Sequence, residues 1–259
     1  MITNRPFCSA LLSILIAAAF LVPSQAQTIL RVEPPNWWIG MKNNQLQLLV
    51  YGKDIGALDA EVDAPGISLL RTEKTGHPNY LFLYLKIANS AKPGNIDLKF
   101  LKGDELLLSY PYELKKRNLP TDESPHRPGF DQSDALYLIT PDRFANRSPQ
   151  NDSIPGMLES ANRSSKDGRH GGDIQGIEDR LDYIADLGFT AIWINPLLEN
   201  DMPAYSYHGY AATDFYKIDR RFGSNETYRA FCEKAADKGL KIIMDMIVNH
   251  CGSEHWFFK

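Results

Sequence analysis

Several features are scarce in this chain of 259 residues, and each scarcity excludes a class of protein. Of its three cysteines, Cys8 lies near the amino terminus, which leaves Cys232 and Cys251, too few for a disulfide scaffold. Neither sign of charge dominates, since 28 basic and 32 acidic residues give a formal net charge of -4. The chain therefore offers no basic surface for a phosphate backbone, and we expect no nucleic-acid partner.

Long hydrophobic runs are also missing. An apolar run at residues 10–22 follows Arg5 and is broken only by Ser13. It is shorter than the roughly 20 helical residues that span a bilayer. Small residues follow it at Ser24 and Ala26, where a signal peptidase would cleave. The pattern predicts a signal peptide over residues 1–26, a secreted or periplasmic protein and no stable membrane anchor; an uncleaved, anchored and non-catalytic subunit is the weaker alternative.

Residues 27–118 contain short runs in which apolar and polar residues alternate. This is typical of antiparallel strands, and Gly103-Asp104 is a plausible hairpin turn between two of them. We predict a β-sandwich with strands at residues 45–51, 67–72, 80–87, 96–101 and 105–112. The pair Trp37-Trp38 either fills the sandwich core, which we favour, or stacks on sugar rings from an exposed loop. Residues 119–130, rich in proline and charge, are the predicted linker.

Beyond the linker, apolar runs alternate with helical patterns. We predict strands at residues 135–140 and 189–194 and a third that begins at Lys241, with helices from the N-cap Asp173 to Gly188 and from the N-cap Ser224 to Gly239. Cys232 falls on the apolar face of the second helix, which indicates core packing. Strands that alternate with helices imply parallel strands, in either a barrel or a doubly wound sheet. Periodicity does not choose between those two.

The third run, KIIMDMIVNH at residues 241–250, predicts a buried strand that delivers polar groups at its carboxyl end. Ligand groups gather at the carboxyl ends of parallel strands in both architectures. No glycine-rich phosphate loop follows any of the three strands, which weighs against a nucleotide site. The strand ends carry aromatic rings, amides and imidazoles, which suit a neutral polyhydroxyl ligand.

Six motifs, in the order PDRFANR, HGGDIQGI, AIWINP, YHGYAATDFYKID, RFGS and DMIVNH, together resemble the α-amylase family of glycoside hydrolases. Within that family they are similar to the neopullulanase and cyclomaltodextrinase type. The resemblance implies an α/β fold with an N-terminal β-sandwich at residues 27–118, like the cyclomaltodextrinase N-terminal domain. Residues 131–259 would then form strands 1–3 of a (β/α)8 TIM barrel.

The resemblance assigns roles to matching residues. Tyr210 matches an aromatic that stacks on the sugar at the cleavage site, and His208 and His250 match imidazoles that hydrogen-bond it. Asp245 matches an acid that supports the catalytic centre, with Asn249 beside it. Each residue also has a structural interpretation, as a packed ring, a satisfied histidine or a buried acceptor. Their shared location at strand ends favours the functional one for the set.

A calcium site is implied at a second set of residues. Hard oxygen ligands from amides, carboxylates and backbone carbonyls are what this ion requires. The matching set is Asn146, Asn151, Asp152, Gly171 and Asp173. Arg147 and Ser148 stand where a glycine and an acid are common, which weakens the charge of the set, and an ordinary polar loop with Asp173 as a helix cap is the alternative.

The catalytic carboxylates of this family come after its fourth and fifth strands. Retaining glycosidases need such a pair about 5 to 5.5 Å apart. We therefore expect the nucleophilic Asp and the acid/base Glu beyond Lys259, and an incomplete chain that is inactive alone and poorly soluble. The hypothesis is a secreted α-glucan hydrolase that cleaves α-1,4 bonds with retention and is a homodimer in its full-length form. The alternative is a non-catalytic protein that binds starch or maltooligosaccharide.

Overall fold

The computed structural model describes residues 28–117 and 129–258, and each range forms a compact unit of its own. The predicted signal peptide and residues 119–128 of the predicted linker lie outside the described residues. Each unit has its own hydrophobic core. Among the described helices, none is long and apolar enough to cross a membrane.

The first unit contains two four-stranded sheets. One has the strand order β1-β3-β6-β5 and the other β2-β8-β7-β4. All pairs are antiparallel except β2 with β8. The strands are β1 Ile29–Glu33, β2 Asn36–Trp38, β3 Gln45–Gly52, β4 Asp59–Val62, β5 Ile67–Lys74, β6 Tyr80–Ile87, β7 Gly94–Lys102 and β8 Glu105–Lys115, with a 3-10 turn at Ile55–Ala57.

Period-two alternation builds the core of this unit. Leu81, Leu83 and Leu85 on β6 are fully buried, while the residues between them are half-buried on the other face. Gly103 and Asp104 connect β7 to β8, as the sequence predicts, and Gly103 adopts the left-handed conformation that this tight turn requires. The aromatic pair lies on β2 rather than on a loop: Trp37 packs against the core and Trp38 is 39% exposed.

The second unit contains a parallel three-stranded sheet of order β13-β10-β9. Its strands are β9 Leu136–Ile139, β10 Ala191–Ile194 and β13 Lys241–Met244, and a separate antiparallel pair joins β11 Leu198–Glu199 to β12 Asp214–Ile218. The helices are α1 Pro141–Phe144, α2 Ile174–Glu178, α3 Leu181–Asp186 and α4 Asn225–Asp237, with 3-10 turns at Pro149–Asn151, Ser206–His208 and Trp256–Phe258.

One face of the parallel sheet is covered by helices. Ile139, Ile192 and Ile194 are buried in a core cluster with residues of α2, α3 and α4. Cys232 packs at the edge of this cluster, as expected from its place on the helix face. Both Cys232 and Cys251 are free thiols.

Two predictions about elements need correction. The first predicted helix is broken into α2 and α3, because the chain leaves helical geometry at Arg180 before it resumes at Leu181. The third predicted strand ends at Met244, and its four residues are half-buried rather than buried. It is the outermost described strand of its sheet and pairs with β10 alone, so it lacks the second neighbour that a central strand has.

Candidate functional site

The carboxyl ends of β10 and β13 and the loop between β11 and β12 bring the predicted sugar-binding residues together. The Tyr210 hydroxyl donates to Asp245 Oδ2 at 3.0 Å. Tyr210 N donates to His208 Nδ1 at 2.9 Å, and the two rings lie 5.9 Å apart. The Tyr210 carbonyl oxygen lies 2.9 Å from His250 Nε2. Asn249 Nδ2 in turn lies 3.3 Å from His250 Nδ1, so all five residues form one cluster.

Trp193 is a member of this cluster that the sequence interpretation missed. Its Nε1 donates to the same Asp245 oxygen at 3.2 Å, and its ring is 41% exposed on the uncovered sheet face. Asp245 therefore orients two aromatic side chains at once. The signal was present in AIWI, because period-two alternation places Trp193 on the face opposite Ile192 and Ile194.

The two histidines of the cluster differ in how many of their ring nitrogens already face protein groups. His208 Nδ1 accepts a hydrogen bond from Tyr210 N, so in the neutral ring the proton sits on Nε2. Burial lowers the pKa of His208, partly opposed by the charge of Glu159, and the ring is neutral at pH 7. Both nitrogens of His250 already face protein groups, the Tyr210 carbonyl and the Asn249 amide. Its contact with a sugar stays a prediction.

Tyr210 is held as a neutral phenol. Burial raises the pKa of its hydroxyl, and the hydrogen bond to Asp245 raises it further. Tyr210 is 38% exposed, while its hydroxyl is fixed by the carboxylate. This combination of a partly exposed side chain and an anchored tip suits a sugar platform.

Tight backbone packing sets the geometry of the segment that carries His208 and Tyr210. Gly209, at φ 82°, lies so close to Pro196 that a Cβ atom would stand 2.1 Å from the Pro196 carbonyl oxygen. Tyr205, at φ 58°, also adopts the left-handed conformation, which is uncommon for a residue with a Cβ. The 3-10 turn Ser206–His208 is therefore bracketed by two left-handed residues.

A buried ionic network lies beside this segment. Arg169, Asp219 and Arg221 are all fully buried. Arg221 binds Asp219 with Nη2 to Oδ2 at 2.7 Å, and Arg169 Nη1 lies 3.9 Å from the same oxygen. Arg169 Nη1 also donates to the oxygens Ser206 O and Oγ, at 3.3 and 3.2 Å. The network thus ties the turn that precedes His208 to the body of the unit.

Burial alone would raise the pKa of Asp219, but its pairing with Arg221 and Arg169 holds it below its ordinary value. Conversely, burial lowers the pKa of Arg169, against the attraction of Asp219. Sequence reasoning missed this network even though Asp219 and Arg221 lie within the motifs YHGYAATDFYKID and RFGS, since a charged side chain gives no sign in the sequence that it is buried.

Comparison with known proteins finds a matching family for each of the two units. Residues 138–259 match the family described as alpha amylase, catalytic domain, and residues 31–118 match cyclomaltodextrinase, N-terminal. Residues 138–259 are therefore similar to the α-amylase catalytic domain. The predicted class, a β-sandwich followed by the first part of a (β/α)8 barrel, is confirmed.

Related members of the α-amylase family match only part of their length. A beta/alpha-amylase of Paenibacillus polymyxa is 42% identical over 118 residues, which are 46% of this chain and 10% of the relative. Neopullulanase 2 of Thermoactinomyces vulgaris is 38% identical over 126 residues, 48% of this chain and 21% of the relative. A solved Anoxybacillus α-amylase is 39% identical, with a TM-score of 0.45, over 49% of this chain and 26% of that one.

The predicted calcium residues lie around the loop after α1. A Cβ atom on Gly171 would stand 2.5 Å from Asp152 and 2.7 Å from Asn146 Nδ2, so these three residues are in close contact. Asn146 Nδ2 donates to Asp152 Oδ1 at 2.6 Å. The Oδ1 atoms of Asn146 and Asn151 are buried and find no hydrogen-bond partner among the described residues. Two buried amide oxygens beside a carboxylate fit a hard cation.

Asp173 has a different role in this loop. Its Oδ1 accepts from Gly176 N at 2.6 Å, and its Oδ2 accepts from Ser148 N and Arg147 N at 2.8 and 3.2 Å. It therefore caps α2 and ties down the loop after α1. No cluster of three or more His, Cys, Asp or Glu side chains arranged to hold a metal occurs within residues 28–117 and 129–258. The predicted set relies instead on amide and backbone oxygens.

Proposed function

We propose that the chain is part of a secreted or periplasmic α-glucan hydrolase that cleaves α-1,4-glucosidic bonds with retention. The observation that carries this proposal is the cluster of Tyr210, His208, Asp245 and Trp193 at the strand ends, in which a partly exposed aromatic side chain and a neutral imidazole are fixed side by side. Relatives named neopullulanase and cyclomaltodextrinase, at 37–38% identity over about half of this chain, support it.

In this proposal Tyr210 stacks on the sugar ring, while Asp245, itself held by Trp193, fixes the Tyr210 hydroxyl. His208 donates its Nε2 proton to a sugar hydroxyl, since its Nδ1 is already an acceptor. Retention requires a nucleophilic Asp and an acid/base Glu. The proposal places both outside the residues described and assigns neither role to Asp142, Asp214 or Asp245.

Calcium is part of the same proposal. Asn146, Asn151, Asp152 and the Gly171 carbonyl would hold the ion, with Asp173 as the cap that fixes their loop. Bound there, calcium would supply a positive charge that satisfies the buried amide oxygens and stiffens the loop. The guanidinium of Arg163 lies 3.7 Å from Asp152 and occupies part of the same carboxylate. This neighbour and the uncharged Ser148 favour weak binding.

The test is calorimetric titration of the full chain with maltohexaose. Tyr210→Ala and His208→Ala should each weaken binding about tenfold or more, because each removes a direct contact with the sugar. Tyr183→Ala is the matched control, since Tyr183 is 53% exposed on α3 and takes no part in the cluster. Equal affinity in all four proteins would contradict the proposal. Binding without hydrolysis by the full-length protein would favour the non-catalytic alternative.

A further inference from the structure

A cavity of about 440 Å³ opens beside Tyr205 in the second unit. Its size is within the range of small-molecule sites. One wall is the loop of residues 158–168 and the other is Pro203, Ala204 and Tyr205. The lining combines one aromatic ring with amide, hydroxyl and carboxylate groups from Asn162, Ser165 and Asp167. A ring beside neutral and acceptor groups suits a polyhydroxyl ligand better than a lipid or an anion.

Tyr205 is held out into this cavity by contacts on the following residue. Its left-handed backbone is strained for a residue with a Cβ atom, and such a conformation persists only where surrounding contacts fix it. Ser206 supplies these contacts, because it is fully buried and its N–H donates to Glu159 Oε2 at 2.7 Å. Its carbonyl and hydroxyl both accept from Arg169. The Tyr205 side chain is therefore 55% exposed, while the backbone that carries it is fixed by these contacts.

The opposite wall is also fixed in advance. The Glu159 carbonyl accepts from Arg221 Nη1 at 2.8 Å, and Leu158 N donates to Asp201 Oδ1 at the same distance. Asn162 N donates to the Arg169 carbonyl at 2.8 Å. The buried network thus anchors both walls, and a ligand that entered would meet a preformed site with little ordering cost.

The cavity and the proposed sugar site are built from neighbouring residues of one segment. Only two residues separate Tyr205 from His208, and Glu159 lies near enough to His208 for its charge to act on the imidazole. We propose that Tyr205 and the residues 158–168 form a second glucan subsite, which binds a sugar unit of the same chain whose neighbouring units stack on Tyr210. This inference rests on the proposed function.

The test compares maltose with maltohexaose on the full chain, by calorimetric titration. Tyr205→Gly is the decisive variant, because glycine relieves the left-handed strain while it removes the ring. We expect this variant to keep its Tm or raise it, to bind maltose as the wild type does, and to lose about five- to tenfold in affinity for maltohexaose. Tyr205→Phe keeps the stacking face and should retain wild-type affinity for both sugars.

Each other outcome has a defined meaning. Wild-type affinity of Tyr205→Gly for maltohexaose would overturn the subsite and leave the proposed function standing. Weaker binding of both sugars together with a lower Tm would also overturn it, since Tyr205 would then be a structural residue. Failure of the wild type to bind either sugar would overturn the subsite and the proposed function together. The Tyr183→Ala control reports any general effect of losing an exposed tyrosine.

Discussion

Gly209 shows at the scale of a single residue why the segment YHGY has its sequence. Two separate constraints act on it: a left-handed φ of 82°, and the approach of the Pro196 carbonyl oxygen to within 2.1 Å of any Cβ atom. Without both the close approach and the turn, Tyr210 N would not reach His208 Nδ1. Glycine is therefore required here by backbone geometry, and the sugar cluster depends on it.

A matched pair of substitutions separates the two constraints. Gly188 has nearly the same φ, 87°, but nothing lies within 4 Å of its Cβ position. Gly188→Ala should cost about 1 kcal/mol, from the left-handed backbone alone. Gly209→Ala should cost several kcal/mol, at least about twice as much, because the backbone must also shift. Urea unfolding gives both values, and equal costs would contradict the clash.

Single residues also mark the limit of what the sequence reveals. His208, Tyr210, Asp245, Asn249 and His250 were placed by motif and do lie together, since strand ends converge whatever the details of packing. Trp193 was passed over as an apolar strand residue, although its alternation was visible. The burial of Arg169 and Asp219 was not visible, although Asp219 ends the motif YHGYAATDFYKID, because the burial of a charge depends on partners that are distant in the chain.

At the scale of elements, two N-caps differ in the number of backbone N–H groups that they satisfy. Ser224 caps the thirteen-residue α4 by accepting from Thr227 N. Asp173 caps the five-residue α2 and in addition accepts from the backbone of Arg147 and Ser148, with its side chain fully buried. The shorter helix therefore has the cap that satisfies more donors.

Alanine substitutions should rank these caps. Ser224→Ala should lower the free energy of unfolding by about 1 kcal/mol, the usual cost of an N-cap. Asp173→Ala should lower it by more than about 2 kcal/mol, because three N–H groups lose their acceptor in a buried site. Chemical unfolding in a chelating buffer keeps any bound cation out of the comparison. An Asp173→Ala cost at or below that of Ser224→Ala would show that water replaces the carboxylate.

The pattern of elements was predictable where one periodicity extends over a whole element. The alternation in residues 80–87 predicts β6 to the residue, and the face of Tyr228, Phe231 and Ala235 predicts α4. The short strands β2 and β4 have only three and four residues, too few to show a period. Residues 245–250 were read as strand because the run stays apolar, but β13 pairs only as far as Met244.

At the scale of the whole molecule, the second unit has one uncovered sheet face. On this face Leu138 of β9 pairs with Trp193 of β10, and Trp193 pairs in turn with Ile243 of β13. Leu136 lies on the same face, two residues before Leu138 on β9. Leu138 is 60% exposed and Leu136 49%. Within the described residues nothing packs over these side chains as the helices pack over Ile192 and Ile194. A contiguous apolar patch of this kind promotes association between molecules.

Leu138→Thr should therefore reduce aggregation of the chain with little loss of stability. Threonine is β-branched, a shape that strands favour, and an exposed leucine contributes little to the core. The measurements are dye binding to exposed apolar surface and light scattering at rising protein concentration, both of which should fall. Leu106→Thr is the control, because Leu106 is 53% exposed on β8, a strand of a different sheet in the first unit. Equal benefit from both substitutions would show that general hydrophobicity, rather than the uncovered sheet face, drives association.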